Sequence, residues 1–111
     1  MQDNVQFAVA RGDDGAALGC GALVLYEGYG ELKRMYVAPA HRGRGVAQRV
    51  LALLEECAIA AGCAVTRLET GPYQPQALNF YTLSGYARCD RFGAYRDDPL
   101  SVFMSKDLAA P

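Results

Sequence analysis

The chain has 111 residues, of which 51% are hydrophobic and 21% charged, and its formal net charge at pH 7 is −1. This length suits one hydrophobic core, so residues 1–111 are expected to form a single domain. The balanced charge excludes a broad electrostatic attraction to nucleic acid or to an anionic membrane, and neither is expected as a partner.

The first predicted elements are three strands joined by turns. Alternating apolar and polar residues predict a strand over Val5–Arg11 and a second over residues 17–26, with an Asp-Asp-Gly turn between them. Residues 27–30 have the composition of a hairpin turn, and a third strand is predicted over residues 31–37. Such turns favour an antiparallel meander.

The pattern becomes helical after residue 45. Apolar residues fall on one helical face over residues 46–61, and Gly62 is placed to end that helix. A buried strand is predicted over residues 64–70. A second helix is predicted over Pro75–Leu83, because Pro75 suits a first turn and Gly85 lies just past the end. Strands near residues 86–88 and 100–105 complete an α+β fold.

The sequence has the features of a cytoplasmic protein. No apolar run is long enough to cross a bilayer, and the first residues lack the pattern of a secretion signal. The cysteines form no C-x-x-C pair, and His41 is the only histidine, so neither a disulfide framework nor a metal site is expected. The thiols are interpreted as packing groups at Cys20, Cys57, Cys63 and Cys89.

The strongest functional signal is residues 37–47, where an apolar strand runs into two glycines flanked by arginines and then into a helix. Gly43 and Gly45 allow the backbone to approach a ligand without a Cβ in the way. The following helix presents unpaired N–H groups and the positive end of its dipole. The segment is therefore typical of a diphosphate cradle. The alternative is a solvated basic turn, and His41 is interpreted as a loop side chain.

These residues carry a family resemblance. Residues 42–47, RGRGVA, match the R/Q-x-x-G-x-G/A signature of the GNAT superfamily of N-acetyltransferases, which lies between that family's fourth strand and the next helix. Residues 31–39 resemble its central strand, and residues 77–86 its second helix and the turn after it. The resemblance implies a GNAT-like fold with a mixed, mostly antiparallel central sheet flanked by helices. The family's first strand and one or two helices, which usually form part of the acceptor wall, have no counterpart here.

The resemblance also implies acetyl-CoA as the acyl donor. Main-chain N–H groups of the loop would wrap its diphosphate, and a bulge in the third strand would splay that strand from the next one. Main-chain groups of Met35 and Val37 would then be free to pair with the pantetheine amides. The cofactor-binding residues implied in this way are Met35, Tyr36, Val37, Arg42, Gly43, Arg44, Gly45, Val46, Ala47, Gln74 and Asn79.

Acetyl transfer from a thioester to an amine requires a neutral amine, an oxyanion binder and a proton for the departing thiolate. The resemblance implies Tyr81 as the proton donor. Its reference pKa of about 10 exceeds the value of about 8.5 for a thiol, so it would hold its proton at neutral pH. A lysine-like amine is rarely neutral at pH 7 and needs a base. Glu31, acting through water, is the first candidate and Glu69 the second, and a main-chain N–H near Val37 is expected to bind the oxyanion.

The sequence therefore predicts an N-acetyltransferase that moves an acetyl group to a primary amine of a small-molecule or peptide acceptor, by direct transfer in a ternary complex. A degenerate module that binds or senses acyl-CoA is the alternative, and a homodimer could supply the missing wall. A nucleotide-binding protein is disfavoured because the loop lacks G-K-[S/T]. Tyr95, Arg96 and Asp97 either line the acceptor site or form a surface turn.

Overall fold

The described part of the chain, residues 4–71 and 75–108 of a computed structural model, contains one six-stranded sheet and two α-helices. The strands are β1 (Val5–Arg11), β2 (Ala17–Leu25), β3 (Tyr29–Val37), β4 (Val65–Thr70), β5 (Ala87–Arg88) and β6 (Val102–Asp107), and the helices are α1 (Val46–Ala60) and α2 (Pro75–Leu83). The strand order is β1-β2-β3-β4-β6-β5. Among the described strands, only β3 and β4 pair in parallel. The predicted α+β fold with a mixed, mostly antiparallel sheet is confirmed.

Helix α1 covers one face of the sheet and builds the core with it. Its buried stripe includes Val50, Leu51 and Leu54, which join Leu23 and Leu32 of the sheet in one apolar cluster. This stripe follows the 3.6-residue period that predicted the helix. Its end is also as predicted, since the residue at position 62 is a glycine with a φ of +86°.

The opposite face of the sheet carries exposed side chains of β1, β2 and β3 in the described residues, although Glu31 of β3 is buried there. The strand register aligns Val9, Cys20 and Tyr36 in one row on that face. Side chains there are strongly exposed, with 65% of Phe7 and 53% of Tyr36 accessible. In the described residues, α1 thus covers one face of the sheet, and part of the other face is exposed.

Two predicted boundaries are wrong, and strand pairing explains both. Tyr29 and Gly30 were expected in a turn, but they pair with Val65 and Thr66 of β4 and begin β3. The turn is instead closed by the N–H of Tyr26, which donates to the carbonyl of Tyr29 at 2.9 Å. The last strand runs over Val102–Asp107 rather than residues 100–105, because it pairs with β4 along the whole length of that strand.

Candidate active site

A bulge in β3 opens the sheet at one end. Cys20 pairs with Tyr36 and Ala22 with Lys33, so two residues of β3 lie opposite Gly21 alone. One of these two, Arg34, has a φ of +58°, a left-handed conformation that is uncommon outside glycine. The bulge bends the strand away from its neighbour.

The sheet splays beyond the bulge, as the family resemblance implies. Pairing between β3 and β4 covers only Tyr29 to Glu31 on one side and Val65 to Arg67 on the other. The rest of β3 therefore has an edge without a strand partner in the described part of the chain. An extended ligand can add to such an edge through main-chain hydrogen bonds.

A cavity of about 550 Å³, here called the loop cavity, lies at the splayed end beside the start of α1. Gly45 precedes α1 in a left-handed conformation with a φ of +79°, and no side chain caps this helix end. A Cβ built at Gly43 would meet nothing within 4 Å, so the loop leaves open space in front of the helix. The unpaired amides and the helix dipole suit an anion, and these features fit the diphosphate of a CoA ester.

Most of the predicted cofactor residues line the loop cavity. They are Met35, Tyr36, Val37, Arg42, Gly43, Gly45, Val46 and Ala47. Arg44 lines a separate depression with Asp13 and Asp14, and Asn79 is exposed and outside the cavity lining. Gln74 lies outside the described residues.

Five further residues line the loop cavity, and the sequence did not identify them as cofactor-binding residues. They are His41, Gln48, Gln76, Ala77 and Phe80. Gln48 belongs to the first turn of α1, directly after the glycine loop. This position is the feature of the sequence that could have identified Gln48 as a lining residue. Gln76 and Phe80 lie on α2, whose approach to the loop depends on long-range packing.

The carbonyl of Val37, which was expected to be free for the cofactor, already accepts a hydrogen bond. The Val37 carbonyl accepts a hydrogen bond from Arg42 Nε at 3.1 Å, and the same guanidinium lies 5.9 Å from the centre of the Tyr36 ring. The prediction that main-chain groups of Val37 are free is therefore wrong for its carbonyl. The contact holds Arg42 across the end of β3, where its charge faces the loop cavity.

A second cavity of about 340 Å³, here called the splay cavity, lies between β3 and β4 and contains Tyr81. Tyr81 is the buried residue of α2, with 8% of its surface exposed. Its ring packs edge-on against Phe80 and Tyr86, with centroids 5.2 and 5.7 Å away. Burial raises the pKa of Tyr81 to about 12, so the phenol keeps its proton at neutral pH.

The two candidate bases lie in different surroundings. Glu69 lines the splay cavity together with Tyr81, and it accepts a hydrogen bond from Ser101 Oγ at 2.8 Å. Glu31 does not line the splay cavity. It is only 3% exposed, and its carboxylate accepts a hydrogen bond from the Tyr95 hydroxyl.

Glu31 faces a third cavity of about 280 Å³, here called the tyrosine cavity. Its walls include Tyr26 and Tyr29, whose rings stack with centroids 5.0 Å apart. Lys33 Nζ lies 3.8 Å from the Glu31 carboxylate. Lys33 and Tyr95 line both the splay and the tyrosine cavities, so these two cavities are adjacent.

A buried polar network supports the ring next to Tyr81. The Tyr86 hydroxyl donates to Glu55 Oε2 at 2.7 Å and lies 2.7 Å from Thr66 Oγ1. Lys106 Nζ in turn donates to the other Glu55 oxygen at 3.1 Å. Burial is the main cause that raises the pKa of Tyr86, and the nearby Glu55 carboxylate raises it further. The network joins α1, β4 and β6 behind α2, and local sequence carries no sign of it.

Other features of the described residues bear on the class of site. Residues 4–71 and 75–108 contain no group of three or more potential metal ligands. The cysteines, all within this part of the chain, are free thiols. Neither described helix has the length and apolar character that a membrane span requires.

A splayed mixed sheet with a glycine loop at the start of the neighbouring helix is the architecture of an acetyltransferase, and comparison with known proteins identifies the family. The model of the acetyltransferase (GNAT) family matches residues 1–86. The IAA acetyltransferase of Azospirillum brasilense is 44% identical over 107 residues, which cover 95% of this chain and 69% of that protein. The chain therefore belongs to the GNAT acetyltransferase family.

Solved structures agree with this fold. A protein described as an acyl-CoA N-acyltransferase from Klebsiella pneumoniae superposes with a TM-score of 0.91 at 46% identity, over 95% of this chain and 73% of that one. The PaiA N-acetyltransferase of Thermoplasma acidophilum, solved in complex with coenzyme A, has a TM-score of 0.83 at 21% identity, over 94% of this chain and 61% of that one.

The chain is shorter than its relatives. It spans 69%, 62% and 58% of the lengths of three sequence relatives, from Azospirillum brasilense, Bacillus subtilis and Escherichia coli. Use of acyl-CoA and transfer of acetyl groups are properties of the GNAT family as a whole.

Proposed function

We propose that this protein transfers an acetyl group from acetyl-CoA to a primary amine of a small-molecule or peptide acceptor, by direct attack in a ternary complex in the cytoplasm. The support for this function is the arrangement of the three cavities, which follow one another along β3.

The adjacency of the loop and splay cavities carries this proposal. Met35 and Ala77 line both of them, so one ligand can extend from the loop into the splay. A CoA ester whose diphosphate contacts the α1 amides would direct its thioester along the free edge of β3. The acyl group would then enter the cavity that contains Tyr81.

Tyr81 is the proposed proton donor to the departing thiolate. Its raised pKa, about 12, keeps the proton available at any pH near neutrality. The sulfur becomes basic only as the C–S bond breaks, so the transfer occurs when the proton is needed. A main-chain N–H of β3 near Val37 is the proposed donor to the carbonyl oxygen of the acetyl group.

Glu31 is the proposed base that receives the amine proton, with Glu69 as the competing candidate. A carboxylate that is 3% exposed and accepts a hydrogen bond is held in one orientation. Glu69 has the advantage of lining the same cavity as Tyr81. Separate replacement of each glutamate by glutamine distinguishes them, because only loss of the base lowers turnover about 100-fold or more.

Acceptor-dependent release of CoA tests the proposal. The protein is incubated with acetyl-CoA and a panel of primary amines, and CoA and acetylated amine are separated by chromatography. A thiol reagent is unsuitable because Cys20, Cys57 and Cys89 are partly exposed. We expect CoA and acetylated amine in equal amounts. Acetyl-CoA binding without release by any amine would instead favour a binding or sensing module.

A further inference from the structure

Tyr95 joins the splay cavity to Glu31. It lies between β5 and β6 and lines both the splay cavity and the tyrosine cavity. Its ring packs against Phe92 and Phe103, each with a centroid distance of 5.4 Å. The ring is thereby fixed, and its hydroxyl donates to Glu31 Oε2 at 2.5 Å.

Glu31 is not among the described residues that line the splay cavity. It is nearly fully buried and lines the tyrosine cavity, and Tyr95 and Lys33 are the described residues that the two cavities share. Lys33 is a cation with no acceptor lone pair, so it cannot receive a proton from the acceptor amine. A phenol hydroxyl can accept one hydrogen bond while it donates another.

We propose that Tyr95 is a proton relay, which takes a proton from the acceptor amine in the splay cavity and passes its own proton to Glu31. This inference rests on the proposed function and replaces the water expected between Glu31 and the amine. It also assigns a role to a residue that the sequence left as either acceptor wall or surface turn.

The acceptor amine enters the step in its neutral form. Its nitrogen forms a bond to the acetyl carbon, and one N–H proton leaves for Tyr95 Oη. The proton already on Tyr95 moves to Glu31 Oε2, so Tyr95 is neutral before and after. The C–S bond breaks, and the thiolate takes the Tyr81 proton. Exchange with solvent then returns Glu31 and Tyr81 to their starting states.

The surroundings of Tyr95 keep it neutral, as a relay requires. Burial, followed by the hydrogen bond to the Glu31 carboxylate, raises the pKa of Tyr95, and Glu69 and Tyr26 act in the same direction. The facing cation is Lys33, with Nζ 5.9 Å from the Tyr95 ring centre. Arg67 pairs with Glu31 in the sheet register and lies over the Tyr29 ring.

A double-mutant cycle tests the relay. Tyr95→Phe keeps the ring contacts and removes the hydroxyl, and Glu31→Gln removes the base. We expect each change to lower kcat about 100-fold, with the acetyl-CoA affinity unchanged. Because both residues serve one step, the double variant should be no slower than the slower single variant. Thr82→Ala removes an exposed hydroxyl that lines none of the three cavities and should retain wild-type turnover.

The pH profile separates a relay from structural damage. Between pH 6 and 9, the deficit of Tyr95→Phe relative to the wild type should shrink as pH rises, because hydroxide replaces the relay. A packing defect would leave the ratio constant. Melting temperatures and acetyl-CoA-induced stabilisation check that both variants fold. If either does not fold, the other with its pH profile still decides the question.

The outcomes distinguish the relay from the function itself. Release of CoA by the wild type together with a Tyr95→Phe kcat within twofold of normal would overturn the relay alone. Multiplying losses in the double variant, or a pH-independent deficit, would overturn it as well. If the wild type releases no CoA with any amine, the proposed function and the relay both fail.

Discussion

The hydroxyl of Tyr81 has a different environment from a surface tyrosine. It is enclosed between α2 and the splayed strands, and burial alone accounts for its raised pKa of about 12. An acid of this kind is uncharged until the thiolate forms beside it. Tyr81 is therefore protonated at neutral pH, as a proton donor must be, and does not suit service as a phenolate base at that pH.

Replacement of Tyr81 by Phe tests this role. We expect Tyr81→Phe to lower kcat about 100-fold while the dissociation constant for acetyl-CoA changes less than threefold, since only proton donation is lost. Steady-state kinetics and calorimetry measure the two quantities. The control is Thr82→Ala, a hydroxyl deletion on the same helix and outside the splay cavity. Wild-type turnover in Tyr81→Phe would remove Tyr81 from the mechanism.

At the scale of elements, β3 and the loop before α1 contribute different parts of the candidate site. The bulge at Arg34 opens the sheet, and the glycine loop exposes the amides of the α1 amino terminus. Both depend on backbone conformation more than on side-chain chemistry. A ligand held mainly by main-chain groups is therefore sensitive to any side chain added at the loop.

Gly45→Glu should abolish cofactor-induced stabilisation. At 100 times its dissociation constant, acetyl-CoA should raise the melting temperature of the wild type by roughly 10 °C. A carboxylate at residue 45 would occupy the helix amides and repel the diphosphate. Thermal unfolding with and without acetyl-CoA measures the shift.

Gly62→Glu is the matched control for this experiment. Gly62 lies at the other end of α1 and has a similar φ of +86°, so a side chain there has similar backbone strain. Both variants should melt lower than the wild type without ligand, but only Gly62→Glu should keep the shift. Equal shifts in the two variants would exclude the α1 amino terminus as the diphosphate site.

At the scale of the whole molecule, the second half of the chain carries several tyrosines with raised pKa values. Burial is the first cause for each of Tyr81, Tyr86 and Tyr95. They lie around the splayed end, where α2, β4 and the segment before β6 meet. Their protonation therefore couples the stability of the fold to alkaline pH.

That residues 1–111 form a single domain remains a prediction.

The free energy of unfolding should fall above pH 10. An unfolded tyrosine loses its proton near pH 10, whereas folded Tyr81 holds it to about 12, so the unfolded state binds fewer protons in that interval. Tyr81 alone should contribute about 3 kcal/mol that is present below pH 10 and lost by pH 12. Urea unfolding at several pH values measures this slope. Tyr81→Phe should make it shallower, and an unchanged slope would contradict the prediction.

Local patterns predicted most of the elements well. Alternation located β1 over Val5–Arg11, and a proline and a glycine bounded α2 over Pro75–Leu83. The errors fell at Tyr29 and at the start of β6, where pairing with β4 sets the boundary. Hydrogen bonding between distant strands leaves no periodic signal in the strand that is extended.

The candidate site divides in the same way. The glycine loop was recognised because its residues are contiguous and their spacing carries the chemistry. The separate cavities of Glu31 and Glu69 could not be recognised, since both glutamates lie near strand ends and have the same local character. Arg44 belongs to the glycine-loop motif, but the motif did not predict where its side chain lies, which is in a separate depression.

The sequence by itself determined the class of fold, the glycine loop and the helix that follows it, because each depends on neighbouring residues and their spacing. Only the tertiary structure decided that Tyr95 touches Glu31, a contact between residues 64 positions apart. It also decided which carboxylate shares a cavity with Tyr81. Such contacts follow from how the strands splay and pack, and no short stretch of sequence encodes that geometry.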